Sequence, residues 1–164
     1  MNANESKMTI RPAVQTDLAA VLAFIRELAE YEKMADQVVA TEELLREWMF
    51  EKGAAEALIG EVDGEAAGFA LFFHNFSTFQ GRAGVYLEDL YVRPEYRGRG
   101  FGRAFLRRLA AIAAERGCGR LEWSCLDWNT PSIEFYRALG AVPMDDWTVY
   151  RVAGESLAGL AEGE

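Results

Sequence analysis

A mixed α/β sheet is the fold class that the sequence predicts, and three observations carry it. Apolar patterns of period two alternate with patterns of period 3.6, in the order strand, helix, helix, three strands, helix, strand, helix and one or two strands. The dipeptide Asp63-Gly64 between two apolar runs marks a two-residue hairpin, so part of the sheet is antiparallel. The later strands are separated by helices, which are the connections that parallel neighbours need. At 164 residues with 51% hydrophobic content, the chain is long enough for one domain with a substantial core. That domain is expected over residues 8–152, between polar tails at 1–7 and 153–164.

Taken in order, Met8 to Pro12 reads as a short opening strand. Thr16 and Asp17 start a helix with Leu18, Val21, Leu22, Ile25 and Leu28 on one face. A loop around Met34 to Val39 leads to a second helix that starts near Thr41 and carries Leu44, Leu45, Trp48 and Met49. Ala57 to Val62 and Ala66 to Asn75 are the hairpin strands. Val85 to Arg93, rich in β-branched and aromatic residues, is the next strand. A long helix then presents Phe101, Phe105, Leu109 and Ile112 and stops at Gly117. Arg120 to Cys125 is a strand. Thr130 caps a helix with Pro131 as its first residue, and Gly140 ends it. Ala141 and Trp147 to Val152 are expected to complete the sheet, and the last dozen residues to form a loosely held tail.

The most informative stretch runs from Arg93 to Arg108, where a strand end, a glycine-rich turn and a helix start follow one another. Gly98, Gly100 and Gly102 can adopt backbone angles closed to other residues. Successive amides can therefore turn toward one point, where the helix dipole adds partial positive charge. Such a turn suits a phosphate or diphosphate. A nucleoside-triphosphate loop is excluded by the absence of Gly-Lys-Ser/Thr, and the dinucleotide fingerprint by the one-residue gap between the last two glycines. Charge agrees. The chain has 17 Lys+Arg against 26 Asp+Glu, a net of −9. Six arginines and one acid fall in this window, and the remainder holds 11 bases and 25 acids. The one basic island thus surrounds the glycine turn. An acidic surface elsewhere favours a cationic substrate and argues against nucleic acid. Arg103, Arg107 and Arg108 also read as a solvated helix face.

The Arg97, Gly100, Gly102 spacing resembles the coenzyme A diphosphate loop of the GNAT acetyltransferases. Within that family, Tyr86 to Val92, Trp128 to Tyr136 and Leu28 to Glu32 resemble the diamine acetyltransferases, the group of spermidine/spermine and thialysine enzymes. The likeness runs from about Met8 to Val152. It implies the GNAT acyl-CoA N-acyltransferase fold, a mostly antiparallel sheet flanked by about four helices. It also implies direct transfer of acetyl from acetyl-CoA to a primary amine of a small cationic molecule, by a homodimer, which the polar stretch Met1 to Lys7 leads us to expect in the cytoplasm. The link from Gly140 to Trp147 looks shorter than in mammalian members.

Carried over residue by residue, the resemblance makes Arg97, Gly98, Arg99, Gly100, Phe101 and Gly102 the cosubstrate loop. Leu90, Tyr91 and Val92 flank the pantetheine arm through their backbone, and Asn129 contacts coenzyme A. Tyr136 protonates the departing thiolate and also contacts the cosubstrate. Against a thiol pKa of about 8.5, a phenol near 10 makes that transfer uphill by about 2 kcal/mol unless the thiolate is dehydrated. Glu88 approaches the amine, as a base through water or as a cation-binding carboxylate. In a regular strand Glu88 shares a face with Tyr86, Leu90 and Val92, and Asp89 one with Leu87 and Tyr91. The two act together only if a bulge intervenes. Tyr31 and Glu32 match the family's amine-binding pair. Glu122, Trp123 and Ser124 are expected on the substrate side.

Other chemistries find little support. Cys118 and Cys125 have no second pair for a zinc site, and no histidine is predicted beside them to activate a nucleophile. His74 reads as a strand-end residue. Met1 to Lys7 lacks the apolar core of a signal peptide. No metal is called for. Acetylation of a protein lysine or N-terminus, and a non-catalytic acyl-CoA-binding module, stay open at this level.

Overall fold

The computed structural model describes residues 7–163, in two compact units that meet at Ser124 and Cys125. The first contains one five-stranded sheet, β1 (Thr9–Pro12), β2 (Glu56–Val62), β3 (Glu65–Ser77), β4 (Arg82–Val92) and β5 (Leu121–Trp123), in that order. The first four strands pair antiparallel and β5 runs parallel to β4. Between β2 and β3, Asp63 (φ 52°) and Gly64 (φ 78°) make the tight turn read from the sequence. Both positive angles match the right-handed twist of the strands they join.

One layer of helix packs against each face. Helix α1 (Leu18–Tyr31) buries Leu18, Val21, Leu22 and Phe24. Phe24 stacks on Phe69 of β3 with ring centroids 5.2 Å apart, in a core shared with Ile59, Leu71, Tyr91 and Met49. The second helix begins where Thr41 accepts the Leu44 amide at 3.2 Å. It is α-helical over α2 (Glu42–Leu45) and continues as a π-helical turn, Arg46–Glu51. Helix α3 (Phe101–Glu115) buries Phe101, Phe105, Leu106, Leu109 and Ile112, the face that its spacing predicts. At its far end, Arg116 makes a two-pronged ion pair with Glu56, at 2.7 and 2.8 Å. Arg116 also donates to Nε2 of His74 at 3.2 Å, so the histidine is a strand-end partner of an ion pair.

The second unit holds α4 (Thr130–Ala138) and α5 (Gly154–Ala161). Three expectations need correction here. Asn129, not Thr130, occupies the cap position of α4, and Thr130 and Pro131 open the helix. No strand forms at Ala141 or at 147–152, and Val149 and Tyr150 are 82% and 91% exposed. Strand propensity is expressed only against a paired neighbour, and this segment has no ladder. The expected tail instead contains α5, whose Leu157, Ala158, Leu160 and Ala161 are good helix formers. No described helix is long and apolar enough to cross a membrane.

Candidate active site

Strand β4 changes character halfway along. Its register with β3 pairs Phe72 with Leu87 but Leu71 with Asp89, so Glu88 is an extra residue in a β-bulge. Leu71 and Phe72 are neighbours and face opposite sides of the sheet. Leu87 and Asp89 therefore do so too, although an unbroken strand would put them on one side. The regular alternation expected for this strand is thus replaced by a bulge, the condition under which both carboxylates can serve one site. Beyond it, Asp89 joins Leu71 and Tyr91 on the face that α1 covers.

Three carboxylates result. Glu32 caps the C-terminal end of α1, Glu88 is exposed on the bulge, and Asp89 is half-buried beside it. Burial, then the charges of Glu88 and Glu32, push the Asp89 carboxyl up to about 6. Glu32 is raised by burial first and by Glu88 second. The Glu88 charge acts on both Glu32 and Asp89, so the three carboxylates together make a site that attracts a cation. Sequence reasoning named Glu88 and Glu32; the structure adds Asp89, whose carboxyl is raised further than that of Glu32. The bulge that adds it leaves no signature in the residue pattern.

Strand β5 pairs with β4 only at Val85, Tyr86 and Leu87. Past that point β4, including Leu90, Tyr91 and Val92, has no strand neighbour on its β5 side. Of the residues expected to face substrate on β5, Glu122 is engaged by Arg120 at 2.8 Å and by Asn75 at 3.1 Å. Ser124 shares a 2.7 Å hydrogen bond with the Tyr86 hydroxyl, and Trp123 lies opposite Leu87.

After β4 the chain makes a short 3-10 turn, Pro94–Tyr96, and enters the glycine loop. Gly98 (φ 78°) and Gly100 (φ 79°) are both left-handed, and a Cβ at either would meet nothing within 4 Å. The glycines are needed for their angles, not for space. Gly102 already belongs to α3, with Gly100 at its cap. Arg97 is held firmly. Its Nε donates to the Val92 carbonyl at 2.8 Å, and its guanidinium lies 5.5 Å from the Tyr91 ring and 5.6 Å from that of Tyr31. Arg99 lies over Tyr96 at 5.9 Å. Arg99, Arg103, Arg107 and Arg108 border an open cleft of about 700 Å3 with Met8, Thr9 and Ile10. Free amides at the head of a 15-residue helix, beside a tethered arginine, fit a diphosphate.

In the second unit, Asn129 is buried at the head of α4. Tyr136 is half-buried about two turns later, its ring 5.6 Å from that of Phe135. Neither cysteine is in a disulfide. Among the described residues no group of three or more His, Cys, Asp or Glu is arranged to hold a metal ion.

Residues 22–141 match the family model described as acetyltransferase (GNAT) family. The chain belongs to this family. The acetyltransferase is 40% identical to the thialysine N-epsilon-acetyltransferase of Bos taurus, over 93% of its own length and 96% of the relative's. It is 37% identical to that of Caenorhabditis elegans, over 87% and 89%. Among solved structures, an integron cassette protein from V. cholerae superposes with a TM-score of 0.80 at 26% identity, covering 97% and 99% of the two chains. An acetyltransferase of Clostridium acetobutylicum solved with acetyl-CoA gives 0.73 at 20% identity, over 88% and 96%, a likeness of fold. The enzyme is thus an acetyl-CoA-dependent N-acetyltransferase on a mixed sheet, as its sequence implies.

Proposed function

We propose that this enzyme moves the acetyl group of acetyl-CoA directly to a primary amine of a small cationic molecule: a diamine, a polyamine or a lysine analogue such as thialysine. The observation that carries the substrate class is the carboxylate trio Glu32, Glu88 and Asp89, on a chain whose arginines gather at the glycine loop. A dication has one ammonium to be deprotonated and another to be held, and the trio supplies both functions. The relatives named for thialysine acetylation support the same class.

In this reading Arg97 and the amides of Gly98 to Gly102, with Arg99 and Phe101 flanking, hold the diphosphate. The unpaired edge of β4 at Leu90 to Val92 holds the pantetheine arm, with Asn129 as a further contact. Asp89 takes the proton of the attacking ammonium, directly or through water. An alkylammonium near 10.4 is a poor donor to an ordinary carboxylate. Raising the acceptor from 3.8 to about 6 narrows the gap by about 3 kcal/mol. Glu88, outermost of the trio, guides and holds the cation. The freed amine nitrogen bonds to the thioester carbonyl carbon, the carbon–sulfur bond breaks, and Tyr136 delivers a proton to the thiolate. The transfer is direct, from thioester to amine, with no covalent acyl-enzyme between them. A cytoplasmic homodimer, as in the diamine group, belongs to the same reading.

Coenzyme A release across a panel of diamines, polyamines and lysine analogues tests this proposal. The expected result is turnover with short dications, lost by more than tenfold in Tyr136→Phe. Equal turnover in wild type and variant would remove Tyr136 as proton donor. Failure of every dication would remove the substrate class.

A further inference from the structure

We propose that Tyr31 serves the reaction through Arg97: its ring is one wall of a clamp that presents the guanidinium to the diphosphate of acetyl-CoA. The inference rests on the reading above that the glycine loop binds that diphosphate. Arg97 follows the 3-10 turn in extended conformation, and its side chain is fixed at three points. Its Nε–H is bonded to the Val92 carbonyl, and the Tyr91 and Tyr31 rings lie 5.5 and 5.6 Å from the guanidinium. Both distances are within the range at which a ring face attracts a cation. With Nε occupied, the terminal N–H groups stay available for a bidentate anion contact. A guanidinium already held in place loses little rotamer freedom on binding, which is how a clamp converts into affinity.

The two rings are not equivalent. Tyr91 is 7% exposed and tilted against Phe24, with centroids 6.1 Å apart, so the core fixes it. Tyr31 ends α1 and is 43% exposed. It adjoins Glu32, a member of the carboxylate trio. A single residue step thus joins the arginine that faces cosubstrate to the acid cluster that faces the amine. In this arrangement the aromatic face of Tyr31 does the positioning, and its hydroxyl is dispensable for cosubstrate binding.

Calorimetry with acetyl-CoA, together with separate KM values for acetyl-CoA and for a diamine, tests the clamp. Tyr31→Phe is expected to keep the wild-type Kd for acetyl-CoA within twofold. Tyr31→Ala and Tyr31→Leu, the second retaining apolar bulk, are expected to weaken it about two- to fivefold, the equivalent of ~0.5–1 kcal/mol for an exposed cation–π pair. In an Arg97→Met background, Tyr31→Ala is expected to add nothing, the mark of action through that arginine. The clamp is overturned by an unchanged Kd in both Tyr31→Ala and Tyr31→Leu, or by an equal loss with and without Arg97. It is also overturned if Tyr31→Phe raises only the diamine KM, which would put the hydroxyl on the amine. No detectable acetyl-CoA binding by the wild type would instead overturn the diphosphate reading itself.

Discussion

Replacing Asp89 by Asn should make the enzyme more stable and less active, and the size of the gain should depend on pH. The Asp89 carboxyl is pushed up to about 6, from an ordinary 3.8, by burial and by the charges of Glu88 and Glu32. A raised carboxyl means that the native state holds its proton longer than the unfolded chain does. The native state therefore loses stability as pH rises through the window from about 4 to about 6, and the loss is complete above it. With these two values the ionised group costs the fold up to about 3 kcal/mol at pH 7.5 and about 1 kcal/mol at pH 4.5. Asn is close to isosteric and carries no charge, so it removes this cost at both pH values. For a chain of this length the gain corresponds to about 6–12 °C in Tm at pH 7.5 and about 2–4 °C at pH 4.5. Thermal unfolding of the two proteins at both pH values measures it, and initial rates with a diamine should fall at least tenfold in the variant. Equal shifts at the two pH values, or a lower Tm at pH 7.5, would refute the argument that Asp89 is held charged against its surroundings.

Glu88→Gln removes a charge that raises both Glu32 and Asp89. The acidic limb of the kcat/KM profile, expected near pH 6 in the wild type, should move to lower pH; a limb that stays in place would dissociate Asp89 from the observed proton. Gly100→Ala should weaken acetyl-CoA binding about tenfold, because a left-handed alanine costs about 1–2 kcal/mol and no neighbour obstructs the new methyl group. Retained affinity in a calorimetric titration would mean that the amides of this turn do not bind the cosubstrate.

Much of the architecture was legible because it is written in local rules. The Asp63-Gly64 turn, the buried stripe of α3 and the glycine loop follow from periodicity and from backbone angles that few residues tolerate. The left-handed angles of Gly98 and Gly100 were readable for the same reason, since both lie within one short segment. Where neighbours decide, the reading failed. Trp147 to Val152 has the composition of a strand and forms none, since a ladder requires a second strand at the right distance.

From its residues alone, this chain declares its family and with it an acetyl-CoA-dependent transfer to an amine, because motif and glycine spacing are properties of the linear order. Only the tertiary structure decided that Asp89 joins Glu32 and Glu88 and is raised. A bulge at Glu88 turns Asp89 under α1, where low exposure and two neighbouring charges act on it together. Proximity of Glu32 and Glu88, 56 positions apart in sequence, is a product of packing, and the proton affinity of Asp89 follows first from its burial and then from those two charges.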